Sequence, residues 1–226
     1  MRAEACCQPL ASGEYFGEKR LAFFGGEQMR SIAMVFGTFF LVFIVLVPKQ
    51  NSVAAARNYE EPEAYRVYSS IFPKEWAWQE ARANTLVIRV ETVPYTMCIE
   101  PDKESEKIIG NAIADYKAVN QHKWLLQRQF DIEKPYELIS GEEIDITFKS
   151  GGRDGWEAFY ERHPDSGGWM ELSAVGFNTS KTIAVVYAGH HCGWLCGGGT
   201  FHVLRKTNGR WLPLQLKGGS FCSWAS

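Results

Sequence analysis

The sequence predicts an α+β domain over residues 57–226, with N-terminal helices packed on a C-terminal antiparallel meander of about four strands. Between residues 60 and 162, apolar residues recur at helical spacing and capping signals precede them. From Trp169 onward, short β-rich runs alternate with turn residues. No internal repeat or low-complexity linker divides the stretch, so one domain is expected.

The elements follow in chain order. Residues 60–72 (EEPEAYRVYSSIF) set Tyr65, Val67, Tyr68, Ile71 and Phe72 on one helical face, with acidic residues in front and Pro73 as the stop. Thr85–Val93 is a β-branched run closed by Pro94 and reads as a strand. Residues 104–120 align Ile108, Ile109, Ala112, Ile113 and Tyr116 along a helix. Ser140 and Glu143 form the S-x-x-E capping pattern of a short helix. Residues 154–162 predict another helix, closed by Pro164 and the Gly167-Gly168 pair. Four strand runs end the chain: Trp169–Phe177, Thr182–His191, Thr200–Lys206 and Arg210–Leu216. Asn178–Lys181 fits a hairpin connection, and Asn208-Gly209 is a strong short hairpin signal. Asn178-Thr-Ser180 also fits the N-x-S glycosylation pattern. Pro213 has no N–H to give to a ladder, so the last strand belongs at an edge.

Ahead of this domain stands an apolar run, Ile32–Val47, which follows Met29-Arg30 and ends at Pro48. Its sixteen residues contain one polar side chain, Thr38. As a helix they would cover about 24 Å, short of the roughly 30 Å of a bilayer core. A positive start, an apolar stretch and the small-residue exit Ala54-Ala55-Ala56 form the layout of a signal peptide, with cleavage expected after Ala56. The other reading is a retained membrane anchor through residues 32–47. Residues 1–28 read as a start-site artefact or disordered leader, and residues 29–56 as signal peptide or anchor. Either route puts residues 57–226 outside the cytoplasm.

Composition narrows the partners. Residues 1–56 hold five Lys/Arg and four Asp/Glu, so 24 less 5 and 26 less 4 leave 19 basic and 22 acidic residues for the domain. With no basic stripe, nucleic acid is not an expected partner. All eight Trp fall in the domain, where core and sheet packing is the ordinary use of aromatics.

The densest chemistry lies in residues 189–202 (GHHCGWLCGGGTFH), read as a glycine-rich hairpin loop. With Cys98 and Cys222 the domain has four cysteines, and an even count in an exported chain favours disulfides. The expected pairs are Cys192 with Cys196 across a compact turn and Cys98 with Cys222. Zinc is the competing cofactor. If the loop is centred near Cys196, His190 and His202 stand opposite each other, and with Cys192 and Cys196 they could complete a tetrahedral set. A hydrolase reading makes Cys192 or Cys196 a nucleophile and His190, His191 or His202 its base.

Other features are weaker. Glu142, Glu143 and Asp145 complement a helix dipole. His163 reads as a solvated loop histidine. Residues 151–155 are glycine-rich without the lysine and spacing of a phosphate loop.

The segment Leu172–Asn178, with Ala184–Tyr187, His191–Gly199 and Gly209-Arg-Trp211, resembles a group of uncharacterised exported bacterial proteins; Glu137–Ser140 and Trp156–Tyr160 share the likeness. The resemblance implies a bacterial envelope or secreted protein and assigns no residue a role. The expected function is a non-enzymatic binding module stabilised by disulfides, with Trp194 at the loop tip as candidate contact. The partner is an unidentified envelope protein or ligand, and no cofactor is expected. The alternative is a zinc-binding protein or hydrolase built on His190, Cys192, Cys196 and His202.

Overall fold

Thr85–Arg89 decides the architecture. Leu86, Val87 and Ile88 are all buried, so side chains on both faces of this strand are covered. A strand of that kind belongs inside a sheet with a helical layer on each side. The computed structural model describes residues 56–75, 84–95, 99–149, 151–218 and 223–226. The apolar run 32–47, Ala54 and Ala55 of the expected cleavage motif, Cys98 and Cys222 lie outside the described residues.

In chain order the elements are β1 (Arg57–Asn58), α1 (Pro62–Glu75), β2 (Thr85–Arg89), α2 (Lys103–Val119), β3 (Trp124–Leu125), β4 (Tyr136–Ile139), α3 (Gly141–Thr147) and α4 (Gly152–Arg162). There follow β5 (Ser166–Leu172), β6 (Gly176–Phe177), β7 (Ile183–Gly193), β8 (Cys196–Thr207), β9 (Arg210–Pro213) and β10 (Ser223–Ala225). The main sheet runs in the order β10-β8-β7-β5-β2-β4, with β6 added to β7 and β9 to β8. Strand β2 is parallel to both β4 and β5, whereas the pairs made by β7 and β8 are antiparallel.

The α+β class stands, but helices set before a separate four-strand meander do not describe this molecule. The sheet is mixed, and helices cover both of its faces. One face carries Leu86, Ile88, Met170, Leu172, Val186 and Leu204 against Tyr65, Tyr68 and Ile71 of α1. The other face has two patches. Val185, Tyr187, Phe201 and Val203 pack with Ile109, Ile113 and Tyr116 of α2. Val87, Ile139 and Trp169 pack with Ile144 of α3 and Phe159 of α4. The physical cause is β2, whose two apolar faces make it an interior strand.

Local signals account for many of the boundaries. Ser140 accepts a hydrogen bond from the Glu143 N–H at 3.0 Å and caps α3. Asn208 and Gly209 have φ of 51° and 77°, the left-handed pair of a two-residue hairpin turn. Pro213 lies on β9, which pairs with β8 alone. Helix α1, by contrast, continues two residues beyond Pro73.

Buried polar bonds fix α2 to the sheet. Asn120 Nδ2 donates to the Tyr116 and Ala174 carbonyls at 2.9 and 3.0 Å, and its Oδ1 accepts from Ala174 N–H at 2.9 Å. At Gly176 a Cβ would strike the α2 backbone at Ala112 and Tyr116, so glycine sets the depth of that contact. Among the described residues no helix is long and apolar enough to cross a membrane.

Candidate functional site

Strands β7 and β8 form a long hairpin registered from Ile183↔Arg205 to His191↔Gly197, with a shift before Gly193↔Cys196. Only Trp194 and Leu195 remain as the turn. The stretch 189–200, expected as a loop, is therefore ladder almost to its tip. Its glycines sit where other side chains lie flat on the sheet. A Cβ on Gly199 would collide with Tyr187 Oη and Trp224 Nε1. One on Gly189 would come within 2.7 Å of Tyr187 Oη and 3.0 Å of Glu171 Oε1. These glycines supply space for aromatics, which resembles the pattern of a turn in sequence.

At the tip, Cys192 and Cys196 are joined in a disulfide with a Cα separation of 5.0 Å. That closes the hairpin covalently around the three residues Gly193–Leu195. The Tyr160 hydroxyl of α4 donates to the Cys192 carbonyl at 2.8 Å and holds the hairpin tip against the helix. Trp194 and Leu195 are 64% and 79% exposed, the highest values of any large apolar side chains among the described residues. The Trp194 ring lies beside the start of α4, with the Arg153 guanidinium carbon 5.9 Å from its centroid. It does not fold back over Gly197 and Gly199, both of which meet Trp224, Gly199 also meeting Tyr187.

The three histidines of this module occupy different environments. His190 is buried, faces Gly198 across the ladder, and brings its Nε2 to 3.1 Å from the Gly167 carbonyl. His202 faces Val186. Counted from Gly198 it lies four residues further along β8, about 13 Å away. His190 and His202 are therefore not opposed, because the hairpin turns at Trp194-Leu195 and not at Cys196. Both sulfurs are spent in the disulfide, so His190, Cys192, Cys196 and His202 form neither the expected tetrahedral set nor a thiolate–imidazole pair. Among the described residues no group of three or more His, Cys, Asp or Glu side chains is placed to hold a metal ion.

His191 lies on the opposite face and is part of a larger group. Its ring stacks on Trp169 at 4.0 Å, approaches Trp224 at 5.5 Å, and brings Nε2 to 3.3 Å from Glu171 Oε1. Tyr187 continues this row: Tyr95 stacks on it at 4.1 Å, and Trp224 Nε1 donates to its hydroxyl at 2.8 Å. Burial pushes the Tyr187 hydroxyl above the ordinary tyrosine range, against the lowering effect of the Trp224 hydrogen bond. Residues Glu171, Tyr187 and Trp224 have no role assigned from the sequence. The signal available for one of them, Tyr187, was the period of two in Tyr187, Gly189 and His191, which puts those positions on one face.

His163 also differs from its sequence reading. Its side chain is 9% exposed, with Nδ1 2.5 Å from Glu137 Oε1 and Nε2 3.6 Å from Glu143 Oε1. It ties β4, α3 and the end of α4 together and is not a solvated loop histidine.

No family model, curated protein or solved structure matches this chain.

Proposed function

We propose that residues 57–226 act outside the cytoplasm as a non-enzymatic binding module, and that the β7–β8 hairpin tip is the surface that meets the partner. One observation carries this reading: the two most exposed large apolar side chains of the described residues are neighbours, Trp194 and Leu195, on a turn closed by a disulfide. Exposed Trp is a common anchor of protein contacts. A turn fixed by a covalent ring loses little conformational freedom when it binds, which favours affinity. The signal-like layout of residues 29–56, the disulfide, and the likeness of the 172–211 segment to exported bacterial proteins support the compartment.

The test is photo-crosslinking in native cells with the full chain, carrying a photoreactive side chain at position 195 or, as control, at the exposed Leu212 of β9. The expected result is a discrete adduct from position 195 that disappears with Trp194→Ala and has no counterpart at position 212. Equal labelling from both positions, or none from 195, ends the reading.

A further inference from the structure

A second feature lies at the other end of β7, where Val185 pairs with Gly176. From there to Gly193 the strand runs eight residues, about 27 Å. Here a cleft of about 640 Å³ opens between the 59–61 segment, α2, β3 and β6. That volume is in the range of small-molecule sites.

Its walls combine rings and carboxylates. Tyr59, Trp124 and Phe177 line it, and the Trp124 ring is held by a hydrogen bond from Nε1 to the Val119 carbonyl at 2.8 Å. Glu60, Glu61 and Asp115 supply three carboxylates against one ammonium, Lys181, so the lining carries two net negative charges (3 − 1). Asp115 is fixed, with Oδ2 accepting from the Phe177 N–H at 2.7 Å.

The cleft already holds a cation. Lys181 Nζ lies 2.7 Å from Glu61 Oε2 and 5.9 Å from the centre of the Phe177 ring. A carboxylate and an aromatic face on one ammonium is the pattern by which proteins recognise organic cations. The backbone that presents this lysine is strained: its φ is +50°, a value that glycine or asparagine ordinarily adopts. Asn178 Oδ1 imposes the turn by accepting from the N–H groups of Thr182 and Ile183 at 2.8 and 2.9 Å. Strain of this kind is retained where the surroundings over-determine it. Lys181 is half exposed, so solvent can replace its contacts when it leaves.

We infer that this cleft binds a small organic ligand bearing a primary ammonium, and that Lys181 is a built-in occupant which the ligand displaces. The ligand ammonium takes the place of Lys181 Nζ at Glu61 and over Phe177. Its alkyl portion lies along Trp124 and Tyr59, within reach of Asp115 for a second ammonium.

The test is a titration of the full chain with hexane-1,6-diamine, read by the chemical shift of the Trp124 indole N–H, with hexane-1,6-diol as the neutral control. Saturable shifts are expected with the diamine and none with the diol. Lys181→Ala removes the competitor and should tighten binding about two- to fivefold, the value of an exposed ion pair. Glu61→Gln and Asp115→Asn each keep the acceptor oxygen that their backbone bonds use, and each should weaken binding about tenfold. No saturable shift in either the natural chain or the Lys181→Ala variant, an equal response to the diol, or undiminished binding in both carboxamide variants overturns the proposal.

Discussion

At Gly199 the space above the backbone is already filled by the Tyr187 hydroxyl and the Trp224 indole, which meet there in a 2.8 Å hydrogen bond. Replacing Gly199 by Ala must push one ring aside and break that bond. The expected cost is about 1–3 kcal/mol, as for other overpacking changes, read as a fall in urea midpoint with an unchanged m-value. An unaltered midpoint would show that the two rings rest elsewhere. The same residue shows where sequence reading stops. A glycine under an aromatic and a glycine in a turn are the same letter, and only the ring that covers it separates them. Pro213 and Asn208-Gly209 were legible because their constraints are local, a missing N–H and two left-handed residues. His163 was not, since its partners Glu137 and Glu143 come from other elements.

The hairpin of β7 and β8 is the element on which the proposed contact depends. Its strands were foreseen, but its turn was misplaced by two residues because the cysteine–glycine run resembles a loop in composition. That displacement also removed the facing of His190 and His202 on which the zinc set rested. The Cys192–Cys196 bridge encloses few residues, so the chain-entropy account limits its contribution to about 2 kcal/mol. Replacing both cysteines by Ser should therefore lower stability by no more than that, measured by denaturant unfolding, and leave the global fold intact. The local effect should be larger: amide exchange is expected to accelerate at 192–197 while Val185 and Val186 remain protected. Equal acceleration throughout β7 would mean that the bridge supports the whole ladder.

At the scale of the molecule, tyrosine hydroxyls are buried in quantity. Burial pushes Tyr116 up to about 12, and it moves Tyr59, Tyr68 and Tyr187 in the same direction. A free tyrosine loses its proton near pH 10, so above that value the unfolded chain has released protons that the folded chain still binds. The stability these groups contribute is complete below about pH 10 and is lost as pH rises toward 12. Unfolding free energies from urea titration should therefore be alike at about pH 8 and pH 9 and drop by more than about 1 kcal/mol by pH 11. A flat profile across that range would place these hydroxyls in water. The class of the fold and most helices were readable from periodicity, whereas the place of β2 was not, because pairing between distant segments leaves no local mark. That placement has a consequence for the integrity of the chain. Both neighbours of β2, the strands β4 and β5, follow β3 in the chain, while β2 and α2 precede it. A backbone cut in the stretch between β3 and β4 would thus yield two pieces, neither able to close its own sheet, and each would complement the other as a split protein.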